Sequence, residues 1–409
     1  MALKKGRKNG VSGMRKKLLI CIMCLTLAAT GCGSQKPSKE EKTSTTEKPA
    51  AEAVTQLTTE YETQPATEPG TQPATETTIQ QTTQPPIDYS THSMNAVATM
   101  AFTGDIYFSD KLYGYYEQNG LIGFISEKVI NTLRNADIYV ADHEYASGNC
   151  GTKADYQIYT YHAPLERESL WVEMGADVIT VANNHTMDYG EEALVQTCSK
   201  LKELGMDVIG GGSNLEEALK PSIRVVNGKK IAIFGSTRFV PRGSWYATNT
   251  KPGLLTTYES TDYYGYVCNA ITQAKQTCDY VAVYTHFGIQ DSTSVAQYQK
   301  NIAHGYMDAG ADLVVGTHPH VLEGIEFYNG RPIIYSIGNF LFENYHSDTV
   351  VLNAIINDDN STTIQLLPCS SQKYQTVDLE GEAARNLFNF IESISFDVKI
   401  DDNGIVTPK

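Results

Sequence analysis

From about residue 96 onward, short apolar runs rich in β-branched residues alternate with longer stretches whose apolar positions recur at helical spacing. That alternation predicts an α/β chain. Strands are expected at 98–103, 136–141, 177–182, 206–209, 280–284 and 312–316. Between them the periodicity predicts helices at 118–134, 163–174, 190–204, 214–219, 262–277 and 295–309, with Gly175 supplying one helix stop. Asn227-Gly228 and Asn329-Gly330 each sit between two apolar runs, the strongest short-range hairpin signal. Late strands at 348–356 and 362–367 precede a helical stretch at 379–395, and the terminal segment supplies packing or an edge.

The strand ends are where this pattern acquires chemistry. In open α/β sheets ligands collect beyond the carboxyl ends of the strands, and here those ends carry metal-ligand residue types. Gly104-Asp105 closes the first strand at a sharp turn and offers a carboxylate suited to a hard cation. The second strand delivers Asp142-His143-Glu144, of which Glu144 is the preferred carboxylate and Asp142 and His143 the alternatives. The third ends in Asn183-Asn184-His185, pairing an amide oxygen that can ligate a metal with an imidazole that can move a proton. Asp188 either orients His185 or caps the helix at 190–204, and capping is the favoured role. His286 follows the strand at 280–284, and His318-Pro319-His320 follows the strand at 312–316. Neutral imidazoles are good ligands for divalent metals, and the proline restricts the backbone that presents them.

Two further positions are weighed against plain alternatives. Asn339 either supports a ligand through a hydrogen bond or stabilises a turn. Arg238, rather than Arg242, is the candidate for binding an anionic substrate, against the ordinary reading of a solvent-facing arginine. Gly210-Gly211-Gly212 lacks the lysine and spacing of a phosphate-binding loop and is expected to make a tight turn.

The front of the chain has a different character. A basic head that includes Arg15, Lys16 and Lys17 precedes an apolar run from residue 18 to 29, too short to span a membrane comfortably. It closes in Ala28-Ala29-Thr30-Gly31-Cys32, which resembles a bacterial lipoprotein signal in which Cys32 carries the lipid, although leucine is more usual at the position of Ala29. A non-lipidated signal peptide and an uncleaved anchor are the alternatives. All three place the bulk of the chain outside the cytoplasm, and the first ties it through a lipidated Cys32 to the extracellular face of the bacterial membrane. Residues 33–92, dominated by Thr, Pro, Glu and Gln, are expected to form a disordered tether. The remaining cysteines, at 150, 198, 268, 278 and 369, show no paired metal-binding spacing and allow a disulfide without choosing one. A net charge of -15 excludes an ordinary nucleic-acid binder.

The ordered series Gly104-Asp105, Glu144, Asn183-Asn184-His185, His286-Phe287-Gly288, Gly316-Thr317-His318-Pro319-His320 and Tyr335-Ser336-Ile337-Gly338-Asn339-Phe340 resembles the CapA family of poly-gamma-glutamate capsule proteins. That resemblance implies a metallophosphoesterase-like layered sandwich with two central mixed β-sheets flanked by helices. The folded domain is expected at 93–370, with a C-terminal helix and tail at 371–409 packing on it. It further implies one or two divalent ions, manganese, iron or zinc, held by Asp105, Glu144, Asn184, His286, His318 and His320, with Glu144 as a bridge and His185 assisting the leaving group. Implied partners are a capsule polymer and the membrane proteins of its synthesis or export. A phosphoesterase with another substrate and a noncatalytic polymer-binding subunit are the competing readings. Two departures stand out: the phosphoesterase pattern Asp-x-His reads Asp105-Ile106-Tyr107, and His-Trp-Gly with a nearby glutamate reads His286-Phe287-Gly288-Ile289-Gln290.

Overall fold

A computed structural model describes residues 96–409, apart from 156–157 and 344–345. The export signal, Cys32 and the tether lie outside the described residues. Two mixed sheets stack face to face, and helices cover their outer faces. The larger sheet is ten-stranded among the described residues. Its strands Ala96–Ile106, Ile138–His143, Val178–Thr180 and Asp207–Ile209 run parallel, whereas His346–Asn357 and Thr362–Gln372 continue it antiparallel. Val398–Ile400 and Ile405–Pro408 form its far edge. The smaller sheet has six strands, with Tyr280–His286 parallel to both Lys229–Thr237 and Leu313–Thr317.

Burial on both faces explains the continuous apolar runs of the central strands. Alternate side chains serve different layers. Met100, Phe102 and Val140 of the large sheet meet Ile233, Tyr284 and Val315 of the small one in the inter-sheet core. Tyr139 and Ala141 face the other way, against Val129, Leu133, Trp171 and Leu194 of the covering helices. On the small sheet Val281, Val283 and Val314 face Val267, Ile271 and Ile302 of helices Tyr263–Lys275 and Gln297–Asp308. Each fully buried aliphatic or aromatic side chain of this kind stabilises the fold by roughly 1.5–3 kcal/mol. The C-terminal helix Gly381–Ile394 adds Leu387, Phe388 and Ile391 to the inter-sheet core.

Two expectations are corrected. The helix expected at 118–134 falls on two helices, Asp110–Phe124, itself kinked at Gly120 with a φ of 68°, and Glu127–Asn135, because Ile125 between them takes extended backbone and Ser126 a ψ of 149°. Gly104-Asp105 does not end the first strand, which runs on to Ile106. Asp105 pairs with Asp142 and, on its other side, with Asn339 of the strand Asn339–Leu341. The disulfide that the sequence leaves open is not formed among the five described cysteines, which are free thiols.

Candidate metal centre

The carboxyl ends of the parallel strands from both sheets meet in one buried cluster. On the second strand, side chains of even number point between the sheets and those of odd number toward the helices. Asp142 therefore faces the inter-sheet side. On the first strand a β-bulge changes that parity: Phe102 pairs with Val140, but the next pair is Asp105 with Asp142. The extra residue turns the Asp105 carboxylate toward the same side as Asp142. From the small sheet, His286 and Thr317 are paired neighbours, and the loop after Thr317 presents His318 and His320. Both histidines take positive φ, 105° and 62°, a strained backbone of the kind found where a ligand is held.

The resulting distances are those of ligand atoms crowding a common point. His286 Nε2 lies 2.7 Å from Asn184 Oδ1, 2.9 Å from His318 Nδ1 and 3.7 Å from Glu144 Oε1. His320 Nδ1 lies 3.1 Å from Asp105 Oδ2 and 2.8 Å from Asn339 Oδ1. Three overlapping groups place ligand atoms within 4.8 Å of one another: Glu144 with His286 and His318, Asp105 with Glu144 and His320, and Asp105 with Asp142 and His286. Each of these residues is buried.

Glu144 supplies the test of whether a cation fits. Both of its carboxylate oxygens are buried without a hydrogen-bond partner. Burial, joined by the charges of Asp105 and Asp142, pushes its carboxyl well above the usual range. An unpaired buried carboxylate costs several kcal/mol unless it is neutralised or bound by a cation. Its neighbours are imidazole nitrogens and further carboxylates, a donor set suited to a divalent transition metal. Burial, together with His286 and His320, holds His318 well below its usual range, leaving it neutral as a ligand must be. Asp105 responds differently: burial raises it, but the hydrogen bond and charge of His320 and the charge of His286 bring it below the ordinary value.

Surrounding groups orient this cluster. Asp142 Oδ2 lies 2.9 Å from His286 Nδ1, which leaves Nε2 as the nitrogen facing Asn184 and His318. Asn183 donates to Asp142 Oδ1 and to the His143 carbonyl, both at 2.8 Å, while its own oxygen accepts from the backbone N–H groups of His185 and Thr186. The Thr317 hydroxyl donates to Asp105 Oδ1. His143, weighed as a ligand in the sequence, points instead into the helix layer, where Nε2 meets both Glu168 oxygens at 3.1 Å and the ring stacks on Tyr145.

His185 is buried at the edge of the cluster, with Nδ1 2.7 Å from Asp188 Oδ2 and its ring against Tyr161. The capping role favoured for Asp188 is incorrect, since the helix Glu191–Glu203 begins at Gly190 with no side-chain cap. Asp188 holds His185 and the Tyr161 backbone N–H instead. Arg238 is near the site but already engaged: its guanidinium lies 3.2 Å from Glu259 and stacks over Tyr258 and Tyr298. Arg242 pairs with Asp155 at 2.7 Å. Tyr107 donates to the His162 carbonyl at 3.2 Å, Phe287 is buried in the helix-covered face of the small sheet, and Gln290 is exposed.

Several neighbours carried no signal in the sequence. Phe239 stacks on His318 with ring centroids 4.2 Å apart, and Phe342 lies 5.0 Å from His320. An isolated phenylalanine beyond a strand reads as ordinary packing, so neither could be found without the fold.

Known proteins give the cluster a family. The chain is 34% identical over 256 residues to the PGA biosynthesis protein CapA of Bacillus subtilis (strain 168), covering 60% of this chain and 64% of that one. It is 28% identical over 301 residues to the capsule biosynthesis protein CapA of Bacillus anthracis, covering 69% of each. The chain thus spans just under two thirds of the first of these relatives. Among solved structures, a hypothetical protein from Thermus thermophilus aligns over 67% of this chain and 100% of its own, at 14% identity and a TM-score of 0.43, too remote to assign a fold. Residues 99–344, which hold every side chain of the buried cluster, match the sequence profile of the bacterial capsule synthesis protein PGA_cap, and the chain belongs to that family.

Proposed function

We propose that the chain is a cell-surface protein of anionic capsule-polymer synthesis, export or attachment, held by a lipidated Cys32 at the outer face of the bacterial membrane. In this reading the buried cluster is a metallophosphoesterase-like centre that hydrolyses or transfers a bond of the polymer or its precursor. The family and the names of its Bacillus relatives support the polymer assignment. The observation that carries the chemistry is the orphaned Glu144 carboxylate among three imidazoles.

One subsite is formed by Glu144, Asn184, His286 and His318, and the other is centred on Asp105, Glu144 and His320. These residues would hold manganese, iron or zinc, which would supply an activated water and offset negative charge on the reacting group. Asp142 keeps His286 in the tautomer that presents Nε2. Asp188 orients His185 to hand a proton to the leaving group. Arg238 offers its positive charge to a polymer carboxylate, which must then compete with Glu259. Membrane synthesis or export proteins are the expected partners. A phosphoester substrate is the second reading, favoured by the proton-donating imidazole beside the Asn184 ligand.

The full chain, extracted in detergent and reconstituted with manganese, tests this. Hydrolysis of poly-gamma-glutamate and of model phosphodiesters is followed alongside metal content. His318→Ala is expected to weaken metal binding and activity by at least about 100-fold. Wild-type protein that takes up no divalent metal, together with an unaltered His318→Ala variant, would sink the proposal.

A further inference from the structure

The two halves of the cluster are built alike except in one respect. In the first, His286 Nε2 faces an amide oxygen, Asn184 Oδ1, at 2.7 Å, with His318 Nδ1 and Glu144 beside it. In the second, His320 Nδ1 faces Asp105 Oδ2 at 3.1 Å and another amide oxygen, Asn339 Oδ1, at 2.8 Å. Without Asn339 the second half has only three protein donors, Asp105, Glu144 and His320. Tyr107, two residues beyond Asp105 on the same strand, does not add a fourth, because its hydroxyl is spent on the His162 carbonyl.

Asn339 is completely buried, and its Nδ2 has no hydrogen-bond partner. The side chain thus turns its acceptor, Oδ1, toward the cluster at His320 Nδ1. One N–H on His320 cannot serve two oxygens from different strands well, whereas oxygens and a nitrogen converging at about 3 Å are what an ion shared among them requires. The backbone enforces the placement. Asn339 pairs with Asp105 across parallel strands, and the Asp105 N–H donates to the Gly338 carbonyl at 3.3 Å.

We propose that Asn339 is a direct ligand of a second divalent ion, bound through Oδ1 together with Asp105, Glu144 and His320. The inference rests on the metal-centre reading above. It makes the two subsites chemically unequal: Glu144, Asn184, His286 and His318 form the softer one, and the two carboxylates, one amide and one imidazole of the second form the harder one. The orphaned Nδ2 is then left for an oxygen atom bound in the centre.

Manganese is the probe. The full chain is titrated with it while metal content is counted, and crystals of the loaded protein are measured at the manganese absorption edge. Two ions per chain are expected, with Asn339 Oδ1 at bonding distance from the one beside Asp105. Asn339→Ala is expected to weaken that second ion by at least about tenfold while the first is retained, and Tyr107→Phe is expected to change neither. Should Asn339→Ala fail to fold, the loaded wild-type crystal decides the question. An ion beside Asp105 with Asn339 Oδ1 beyond bonding distance, or a single ion at His286 and His318 alone, overturns the ligand role and spares the metal-centre reading. Absence of any bound ion overturns both.

Discussion

Glu323 has a titration that only burial explains. It is 1% exposed, accepts one hydrogen bond from Gln299 at 2.6 Å, and leaves Oε1 without a partner. Burial pushes its carboxyl from an ordinary value of 4.5 up to about 8. The folded chain therefore binds this proton more tightly than the unfolded chain does. Its contribution to stability is complete below about pH 4.5 and is lost as pH rises through about 8. Glu323→Gln keeps the shape without the titration, so melting temperatures of the variant between pH 5 and 9 should fall less than those of the wild type. The difference at pH 9 should be on the order of a few kcal/mol. Parallel melting curves would show that Glu323 does not titrate in this way. The residue types of the centre were legible in the sequence, because carboxylate, amide and imidazole groups recur beyond apolar runs. Their division of labour was not. Glu144 and Asp142 read as alternatives, yet the strand continues to His143, so its alternation sends His143 away and leaves Asp142 behind His286 while Glu144 enters the cluster.

At the level of elements, the parallel pairing of the strands Ala96–Ile106 and Asn339–Leu341 constrains the site closely. A Cβ on Gly104 would stand 1.7 Å from the Gly338 carbonyl oxygen, a backbone atom that cannot swing aside. Gly104 also lies in the bulge that turns Asp105 inward. Gly104→Ala should accordingly destabilise the chain toward or beyond the upper end of the usual overpacking range, about 3 kcal/mol, and should weaken manganese binding beside Asp105 more than beside His286. A variant with unchanged melting and metal affinity would show that the two strands can part freely. Gly228→Ala, at a hairpin turn with nothing within 4 Å of the added carbon, is the contrasting case, in which only the φ of 84° resists. That hairpin was legible because Asn227 and Gly228 both need positive φ, a demand that few other residue pairs meet. The bulge was not legible, since Thr103-Gly104-Asp105 reads equally as the end of a strand. Nor was the break in the expected helix at 118–134, where apolar spacing continues through Ile125 while the backbone there turns extended.

For the whole molecule, the centre is where two sheets with separate hydrogen-bond ladders are joined. Asp105 and, just past its strand, Glu144 come from the larger sheet, His286 and, just past its strand, His318 from the smaller one; elsewhere the sheets meet through apolar packing such as Phe102 against Tyr284 and through polar contacts such as the Tyr284 hydroxyl on the Thr103 carbonyl and Arg224 on Asp207. The alternation of strands and helices disclosed the layers. The stacking of one sheet on the other depends on parity within each strand, which a single bulge can reverse. A cation bound at this junction links the sheets and binds the folded chain alone, because its ligands come from strands that are distant in sequence. Saturation at a free-ion concentration of about 100 times Kd should then stabilise the fold by about 2.7 kcal/mol, several degrees in melting temperature. Ligands bind a cation only when deprotonated, and burial raises the Glu144 carboxyl, so the stabilisation should shrink as pH falls. Scanning calorimetry of the full chain with manganese and with chelator, at pH 8 and pH 6, measures both effects. His318→Ala should remove most of the difference at either pH. If chelator leaves the melting temperature unchanged while metal is demonstrably lost, the ion does not clasp the two sheets, and the apolar and polar contacts between them are sufficient to hold the site open for it.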